Sequence, residues 1–384
     1  MTLDLPPRTV FDDEHDVFRD AFRTFLTREA LPRRDVWLAD GIIDREFWKM
    51  AASHGFVGFA APPEYGGLGV ADFRFHAVID EEVAALGVGT DAFTLTNDIV
   101  GPYLIELTDD HQRARWLPGV TSGDIVPAIA MTEPGTGSDL RGIRSTARWT
   151  GSGYVLNGTK MFITSGIQAD LVVVAAQVDQ PGVDGLGLFV VEAGMPGFSR
   201  GRKLDKLGRV AQDTAELVFD SVEVPVENVI GEPGQGLRLM MRNLAQERLA
   251  MAVTAVANAQ RALELTLDYV RERTAFGQPV GSFQANRFTV AELVTELRVG
   301  RVYVDGCIER QATGLLSAAE AAGAKFWATE LEWKVVDACL QLHGGYGYMT
   351  EYEITTRWRD ARVQRIYGGT NEIMREIVGR SLGL

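Results

Sequence analysis

The chain has 384 residues, 46% of them hydrophobic and 23% charged, a composition that excludes a disordered protein. Its two cysteines exclude a disulfide scaffold, and no apolar run reaches the roughly 18 residues of a membrane span. The formal net charge of −14 argues against nucleic acid as the main partner, because phosphate binding requires a basic surface. The N-terminal segment lacks the basic and apolar regions of a signal peptide, so we expect a cytoplasmic protein without a membrane partner.

The first third of the sequence is predicted to be helical. Apolar residues recur with helical spacing between Phe11 and Leu26, which predicts a helix over 11–30 that Pro32 ends. A loop rich in glycine and proline then follows a second helix. The further helices are expected at 44–54, 72–86, 91–107 and 109–120, the last of them stopped at Pro118.

From about residue 125 the pattern changes to short β-type runs between turn residues. Residues 147–164 are predicted to contain three strands, separated by a Gly-Ser-Gly turn and by a turn at Asn157 and Gly158. No stretch long enough for a crossover helix separates the runs, so we expect an antiparallel barrel or sandwich. The further strands are expected at 170–178, 186–193 and 214–225.

The last third returns to helical periodicity, which predicts helices over 237–273, 284–312 and 317–342 and a short terminal helix. The overall order is therefore α–β–α. These changes of pattern give three predicted domains: an N-terminal helical domain at 1–125, a β domain at 126–236 and a C-terminal helical domain at 237–384.

The segment MTEPGTGSD at 131–139 is a glycine-rich loop with three hydroxyl side chains near the start of the β region. Its backbone N–H groups and hydroxyls could hold a polar or anionic ligand, although a plain surface turn has the same composition. The common nucleotide signatures do not apply, because no GxGxxG follows a strand and the loop lacks the lysine of a P-loop. The five scattered histidines form no metal-binding pattern, so we expect no metal.

The segment AQERLAM places Glu247 and Arg248 in an otherwise apolar part of a predicted helix. A solvated helix face or a buried ion pair would explain both residues. Alternatively, burial could raise the pKa of the Glu247 carboxyl so that it serves as a base near neutral pH.

Five segments stand out along the chain: MTEPGTGSD, NGTKMFITSG, RTAFGQPVGSFQ, QLHGGYGYMTEY and RIYGGTNEIMREIVGR. In their order and spacing they resemble the motifs of the acyl-CoA dehydrogenase family. The resemblance covers the chain from end to end and implies an α+β fold: an N-terminal helical domain, a middle antiparallel β-barrel and a C-terminal four-helix bundle. It also implies FAD at the junction of these domains.

The resemblance implies that the first two motifs surround the flavin ring. Met131, Thr132, Phe162 and Thr164 would contact it, and Phe162 stands where many members of the family have tryptophan. Ser138 is placed in the same cofactor loop and matches a serine that contacts the CoA portion of the substrate.

The later motifs are implied to bind the rest of FAD. Because some of these positions match residues that reach the FAD of a neighbouring subunit, the resemblance implies an obligatory oligomer, normally a homotetramer. The matching residues are Arg273, Phe276 and Gln284 for the neighbour's FAD, Gln341, Gly344 and Gly345 for the pyrophosphate–ribityl region, and Thr370 and Glu372 for the adenosine half.

The catalytic base departs from the commonest pattern of the family. Many members carry a glutamate directly after the tyrosine of the RIYxGT segment, where this chain has Gly368 after Tyr367. A long-chain and isovaleryl-type subset instead carries it at the position of Glu247, which the resemblance therefore implies as the base. Arg248, Tyr367 and Gly368 are implied to contact the substrate, with the Gly368 N–H binding the thioester carbonyl.

These assignments predict a dehydrogenase that converts an acyl-CoA to the trans-2-enoyl-CoA and passes electrons to an electron-transfer flavoprotein. An oxidase or flavin monooxygenase on the same fold would have the same motifs, but such monooxygenases generally lack the base, so Glu247 favours dehydrogenation. Two more hypotheses stay open: a dehydrogenase that acts on an acyl group bound to a carrier protein, and a non-catalytic flavin-binding subunit. A role in fatty acid β-oxidation follows from the main prediction.

Overall fold

Helices make up the N-terminal third of the protein. The computed structural model describes Leu3, residues 7–90 and residues 92–384. Within the described residues, no helix is both long and apolar enough to cross a bilayer. The helices are α1 Asp13–Phe25, α2 Arg34–Asp40, α3 Arg45–Ser53, α4 Phe73–Leu86, α5 Ala92–Thr94, α6 Gly101–Glu106 and α7 Asp110–Thr121.

The helices predicted at 44–54, 72–86 and 91–107 are confirmed, and the last of them contains a π-helical turn at Leu95–Val100 between α5 and α6. The predicted end of the first helix at Pro32 is wrong. The chain continues from α1 through a π-helical turn at Leu26–Ala30 and a 3-10 turn at Leu31–Arg33 into α2. Pro32 lies at the start of that 3-10 turn, where its missing N–H leaves no helical hydrogen bond unmade.

The predicted stop at Pro118 is also wrong, because α7 continues through this proline to Thr121. Trp116, Leu117 and Val120 are buried in the core beneath the last turn of α7. Packing of these side chains stabilises the turn in spite of the hydrogen bond that proline removes.

The middle third forms one eight-stranded sheet in the order β6-β7-β3-β2-β4-β5-β8, with β1 paired to β4. Side chains on both faces of β4 and β5 are buried. One set packs against α6 and α7, and the other set packs against β3 and β7. The strands are β1 Pro127–Ala130, β2 Thr146–Trp149, β3 Gly153–Thr164, β4 Leu171–Asp179, β5 Leu186–Glu192, β6 Phe198–Lys203, β7 Thr214–Pro225 and β8 Val229–Ile230.

Two details of the sheet differ from the prediction. Most strand pairs are antiparallel, as expected, but β1 and β2 both pair with β4 in parallel. The strand β3, which lies between β2 and β4 in sequence, makes this parallel pairing possible without a helical crossover. The predicted turn at Asn157 and Gly158 is absent, because β3 runs through it with a register shift opposite β7. Gly158 has a φ of 151°, and a Cβ there would overlap the Ser145 side chain.

Helices return in the C-terminal third, and the helices predicted there are confirmed. A small hairpin, β9 Thr274–Ala275 and β10 Gln278–Pro279, connects the first two of them. The helices are α8 Gly236–Glu272, α9 Gln284–Ala312, α10 Ala318–His343, α11 Glu353–Ala361 and α12 Asn371–Ser381.

The core of the helical bundle is rich in alanine. α8 packs more extensively against α10 than against any other helix. Alanine's single methyl group permits close approach of packed helices, whose axes are commonly about 8–10 Å apart. The alanines that α8 and α10 contribute to this core cluster are Ala250, Ala252, Ala255, Ala259 and Ala262 on α8, and Ala324 and Ala328 on α10.

Candidate active site

Glu247 is a buried carboxyl in the first half of α8, with 5% of its surface exposed. The Tyr103 hydroxyl on α6 donates a hydrogen bond to its Oε1 atom over 3.4 Å. Burial raises the pKa of Glu247 to about 8, while Arg248 and the Tyr103 hydrogen bond oppose this rise and Asp98 adds to it. The carboxyl therefore changes its charge near neutral pH, as a general base must.

Gly368 lies against the same helix. It has a φ of 62°, and a Cβ added to it would overlap the Sδ and Cε atoms of Met251. Met251 follows Glu247 by one turn of α8, so both side chains lie on the same side of that helix. The Gly368 N–H donates no hydrogen bond to any described residue. The structure thus places both predicted catalytic positions at the same part of α8, with the backbone N–H of Gly368 unpaired among the described residues.

The loop that contains Gly368 is held by Lys325, a fully buried residue of α10. Its Nζ donates to the Gly369 carbonyl over 2.8 Å and to Asn371 Oδ1 over 3.0 Å. Burial, helped by the nearby Arg248 charge, lowers the pKa of Lys325 to about 8. Our sequence prediction missed this residue. Its signal was a lysine inside an apolar helical stretch of a chain that has only six lysines.

Arg248 is also buried beside Glu247, with 6% of its surface exposed. Burial lowers the pKa of its guanidinium group, an effect that the Glu247 charge opposes. Its Nε atom has no hydrogen-bond partner among the described residues. Tyr367 is half-buried, and its hydroxyl donates to Gln364 Oε1 over 2.9 Å. Both predicted substrate contacts therefore lie next to the catalytic positions in sequence and structure.

A buried ion pair between Lys160 and Glu133 holds the 131–139 loop in place. Lys160, which is fully buried on β3, donates to the Met131 carbonyl over 3.0 Å and to Glu133 Oε1 over 2.9 Å. The backbone N–H groups of Arg144 and Ser145 also donate to the Glu133 carboxylate. Burial alone would raise the pKa of Glu133, but these hydrogen bonds hold it at about 2. Neither charge was among the predicted site residues, although each lies inside a motif.

The same loop is joined to β3 next to Phe162. The Met161 N–H donates to the Thr132 carbonyl over 2.9 Å. The pairing of β3 with β7 is irregular between Lys160 and Ile163, and Phe162 within it has a φ of 63°. This bulge leaves the aromatic ring 65% exposed. The hydroxyls of Thr132 and the half-buried Thr164 donate to no described residue, and Ser138 is exposed on the loop.

A third group of predicted residues lies at the far end of α8. Arg273 follows the last residue of that helix, and its guanidinium lies 5.6 Å from the centre of the Tyr346 ring. Phe276 is 95% exposed at the tip of the β9–β10 hairpin, and Gln284 is exposed at the start of α9. A cavity of about 630 Å³ is lined by Arg273, Gln341, Gly344 and Gly345, together with Tyr269, His343 and Tyr346.

Thr370 and Glu372 belong to the Gly368 end of the molecule. The Thr370 hydroxyl caps α12 by accepting from the Ile373 N–H over 3.4 Å. Glu372 is exposed in the first turn of the same helix. Within one chain, these two residues therefore lie beside Gly368.

Family models match nearly the whole chain. They are those of the acyl-CoA dehydrogenase N-terminal domain at residues 12–124, the middle domain at 128–222 and the C-terminal domain at 234–383. The chain belongs to the acyl-CoA dehydrogenase family. In this acyl-CoA dehydrogenase, the predicted fold is confirmed. The buried Glu247 carboxyl on α8 contacts Tyr103 on α6, so it lies where the C-terminal part packs against the N-terminal part.

Individual relatives agree with this assignment. The rat mitochondrial long-chain specific acyl-CoA dehydrogenase is 43% identical over 99% of this chain and 89% of its own length. The crystal structure of an acyl-CoA dehydrogenase from Geobacillus kaustophilus is 46% identical with a TM-score of 0.96, and the match covers 98% of this chain and all of that one. The acyl-CoA dehydrogenase from Bacillus anthracis, complexed with FAD, is 29% identical with a TM-score of 0.89, over all of this chain and 69% of that one.

Proposed function

We propose that this acyl-CoA dehydrogenase oxidises an acyl-CoA thioester to the trans-2-enoyl-CoA with FAD as its cofactor and an electron-transfer flavoprotein as its electron acceptor. The observation that carries the proposal is the buried Glu247, whose pKa of about 8 suits proton abstraction, beside a Gly368 N–H that is available to a substrate carbonyl. A family relationship to a solved FAD complex supports the choice of cofactor.

Glu247 acts as the base that removes the proton from the α-carbon of the thioester. The Gly368 N–H donates to the thioester oxygen, on which negative charge develops as that proton leaves. Bound FAD supplies the acceptor for the hydride that leaves the β-carbon. Arg248 and Tyr367 contact the thioester end of the substrate, and Ser138 contacts its CoA portion. The double bond forms between the α- and β-carbons, so one proton and one hydride are accounted for.

The residues around the 131–139 loop fit a flavin. The exposed Phe162 ring presents a flat apolar surface, and the Thr132 and Thr164 hydroxyls are available to polar atoms of a ligand. The Lys160–Glu133 pair holds the loop that carries Met131 and Thr132. These features support FAD binding by Met131, Thr132, Phe162 and Thr164, with Ser138 at the edge of the same loop.

The proposed reaction is tested by anaerobic titration of the purified flavoprotein with a panel of straight-chain and branched acyl-CoAs and one acyl carrier protein thioester. We expect at least one acyl-CoA to bleach the flavin, and bleaching to become faster as pH rises through about 8, because Glu247 must be ionised to act. Failure of every acyl thioester would contradict the proposal. Rapid O₂ consumption without the electron-transfer flavoprotein would instead identify an oxidase.

The length of α8 supports a homo-oligomer, which we propose to be a tetramer. Arg273 lies 26 residues beyond Glu247, about 39 Å away at 1.5 Å per residue. The two residues therefore cannot meet at one flavin ring within a single chain. Arg273, Phe276 and Gln284 are proposed to complete the FAD site of a neighbouring subunit. Phe276, at the tip of the hairpin that follows Arg273, is 95% exposed and is therefore accessible to a neighbouring subunit.

Two inactive variants test whether each FAD site is shared between two subunits. Glu247→Gln removes the base from its own chain, and Arg273→Ala removes a contact to the neighbour's FAD. We expect each variant alone to lack turnover, whereas coexpressed chains carrying different affinity tags should form mixed oligomers that recover part of it. In these oligomers, one FAD site combines an intact Glu247 from one chain with an intact Arg273 from the other chain. Coexpression of two differently tagged Glu247→Gln chains is the control, and no recovery in the mixed oligomers would contradict a shared site.

Finer assignments remain proposals. The cavity at Gln341, Gly344 and Gly345 is proposed to hold the pyrophosphate–ribityl region of FAD, and Thr370 and Glu372 its adenosine half. The domain limits 1–125, 126–236 and 237–384 are supported by changes of secondary structure that fall at 122–126 and 231–235. A role in fatty acid β-oxidation is supported by the long-chain enzyme of rat. The cytoplasmic location remains a prediction from the sequence.

A further inference from the structure

The Tyr103 hydroxyl is the only side-chain group among the described residues that hydrogen-bonds Glu247. Tyr103 is fully buried on α6, and its phenol joins the core beneath the middle sheet. Burial raises the pKa of Tyr103 above its ordinary value, and the nearby Glu247 charge adds to this rise. The phenol therefore stays protonated and can only donate its hydrogen to the carboxylate, because the carboxylate has no hydrogen to give.

The backbone that carries Tyr103 is fixed from the N-terminal side. The π-helical turn Leu95–Val100 leads directly into α6. The Asn97 side chain in this turn donates to the Phe56 carbonyl over 3.0 Å and accepts from the Gly58 N–H over 2.8 Å. These two buried hydrogen bonds attach the start of α6 to the loop after α3, so Tyr103 has little freedom to move away from α8.

Two charged groups act on the Glu247 carboxyl. Arg248, on the same helix, favours the carboxylate, whereas Asp98, in the π-helical turn, disfavours it. His76 on α4 lies behind Asp98, with 2.9 Å between His76 Nδ1 and Asp98 Oδ1. Among the described side chains, the Tyr103 hydroxyl makes the only hydrogen bond to Glu247.

We propose that Tyr103 is a positioning residue that holds the Glu247 carboxylate in place through its hydroxyl group. This inference rests on the proposed role of Glu247 as the base. A buried carboxylate with no hydrogen bond would be free to rotate and would also be harder to ionise. The Tyr103 hydrogen bond would both restrain the carboxylate and favour its ionised form.

The test is Tyr103→Phe, which removes one oxygen atom and leaves the ring in place. Because the lost hydrogen bond favoured the ionised form, the pKa of Glu247 should rise. We expect the acid limb of the kcat profile to move up by about one pH unit, with kcat at pH 7 about tenfold lower. KM should change little, and activity should recover as pH rises. An acid limb that coincides with that of the wild-type protein would overturn the proposal.

Tyr154→Phe is the matched control. Tyr154 is also buried, and its hydroxyl donates to Gln180 Oε1 over 2.5 Å in the middle sheet, away from the proposed site. This variant should lose a buried tyrosine hydrogen bond without any shift in the pH profile. If it shifts the acid limb as far as Tyr103→Phe does, the effect is structural and the proposal is wrong.

A measurement without turnover separates this inference from the proposed function. The infrared band of the protonated Glu247 carboxyl is identified by its loss in Glu247→Gln, which leaves in place the band of Glu332, another buried acid whose pKa burial raises. Titration of the Glu247 band should give a higher midpoint in Tyr103→Phe than in the wild-type protein, even if no acyl-CoA is a substrate. Equal midpoints would overturn the inference whatever the activity.

Discussion

Replacement of Glu247 by glutamine is expected to lower turnover by at least about 100-fold while FAD remains bound, because general base catalysis commonly contributes 10²–10⁴-fold. Glutamine keeps the shape of the side chain and can still accept from the Tyr103 hydroxyl, but its amide cannot take the α-proton. The measurement is the rate at which acyl-CoA bleaches the flavin in an anaerobic stopped-flow experiment, with FAD content determined from the absorbance spectrum.

Glu332→Gln is the control for this prediction. Glu332 is fully buried on α10, accepts from the Asn258 side chain and has its pKa raised by burial to about 8. It therefore shares the unusual properties of Glu247, but its contacts lie within the helical bundle. We expect its glutamine variant to bleach at close to the wild-type rate. Wild-type bleaching by Glu247→Gln would show that another group is the base.

Replacement of Lys160 by methionine is expected to lower the free energy of unfolding by about 3–5 kcal/mol, the usual effect of removing one partner from a buried ion pair. Glu133 would keep its two backbone donors but lose the charge that compensates for its burial. The Met131 carbonyl would also lose its donor, so the 131–139 loop should lose its position and FAD should dissociate. Urea unfolding and the FAD content of the purified protein measure the two effects.

The double variant Lys160→Met/Glu133→Gln separates charge from packing. It removes both charges and keeps both side chains close to their original size. We expect it to recover part of the lost stability, because an isolated buried charge is more unfavourable than none. A single Lys160→Met variant that unfolds at the wild-type urea concentration and retains FAD would contradict the role given to this ion pair.

The sequence predicts helices well where a periodic apolar face is long. The helix now seen as α8 was expected within one residue of its observed ends, because 37 residues of helical periodicity leave little ambiguity. Local turn signals were less reliable. Pro118 and the Asn157–Gly158 pair are strong breakers in isolation, but tertiary packing under α7 and the pairing of β3 with β7 override them. These competing effects cannot be read from neighbouring residues.

In the candidate site, too, the motif residues could be predicted from the sequence, whereas the residues that hold them could not. The motifs predicted that Glu247 and Gly368 act together, and the contact of Gly368 with Met251 agrees with this. The residues that hold them were not predicted, because each acts across a long sequence separation. Tyr103 reaches Glu247 from 144 residues away, and Lys325 reaches Gly369 from 44 residues away. Such partners depend on the packing of whole helices, which a local pattern does not encode.

The alanine-rich core of the bundle has a consequence for the reaction itself. Glu247 belongs to α8, whereas the Gly369 carbonyl is held by Lys325 on α10, and alanines are numerous in the core that these two helices share. The proposed base therefore belongs to α8, and the loop with the proposed N–H donor, which lies against α8, is also held by α10. A misplacement of about 1 Å can lower a reaction rate about 100-fold. We therefore expect a larger residue in this core to change the distance between these two proposed catalytic positions and to lower turnover.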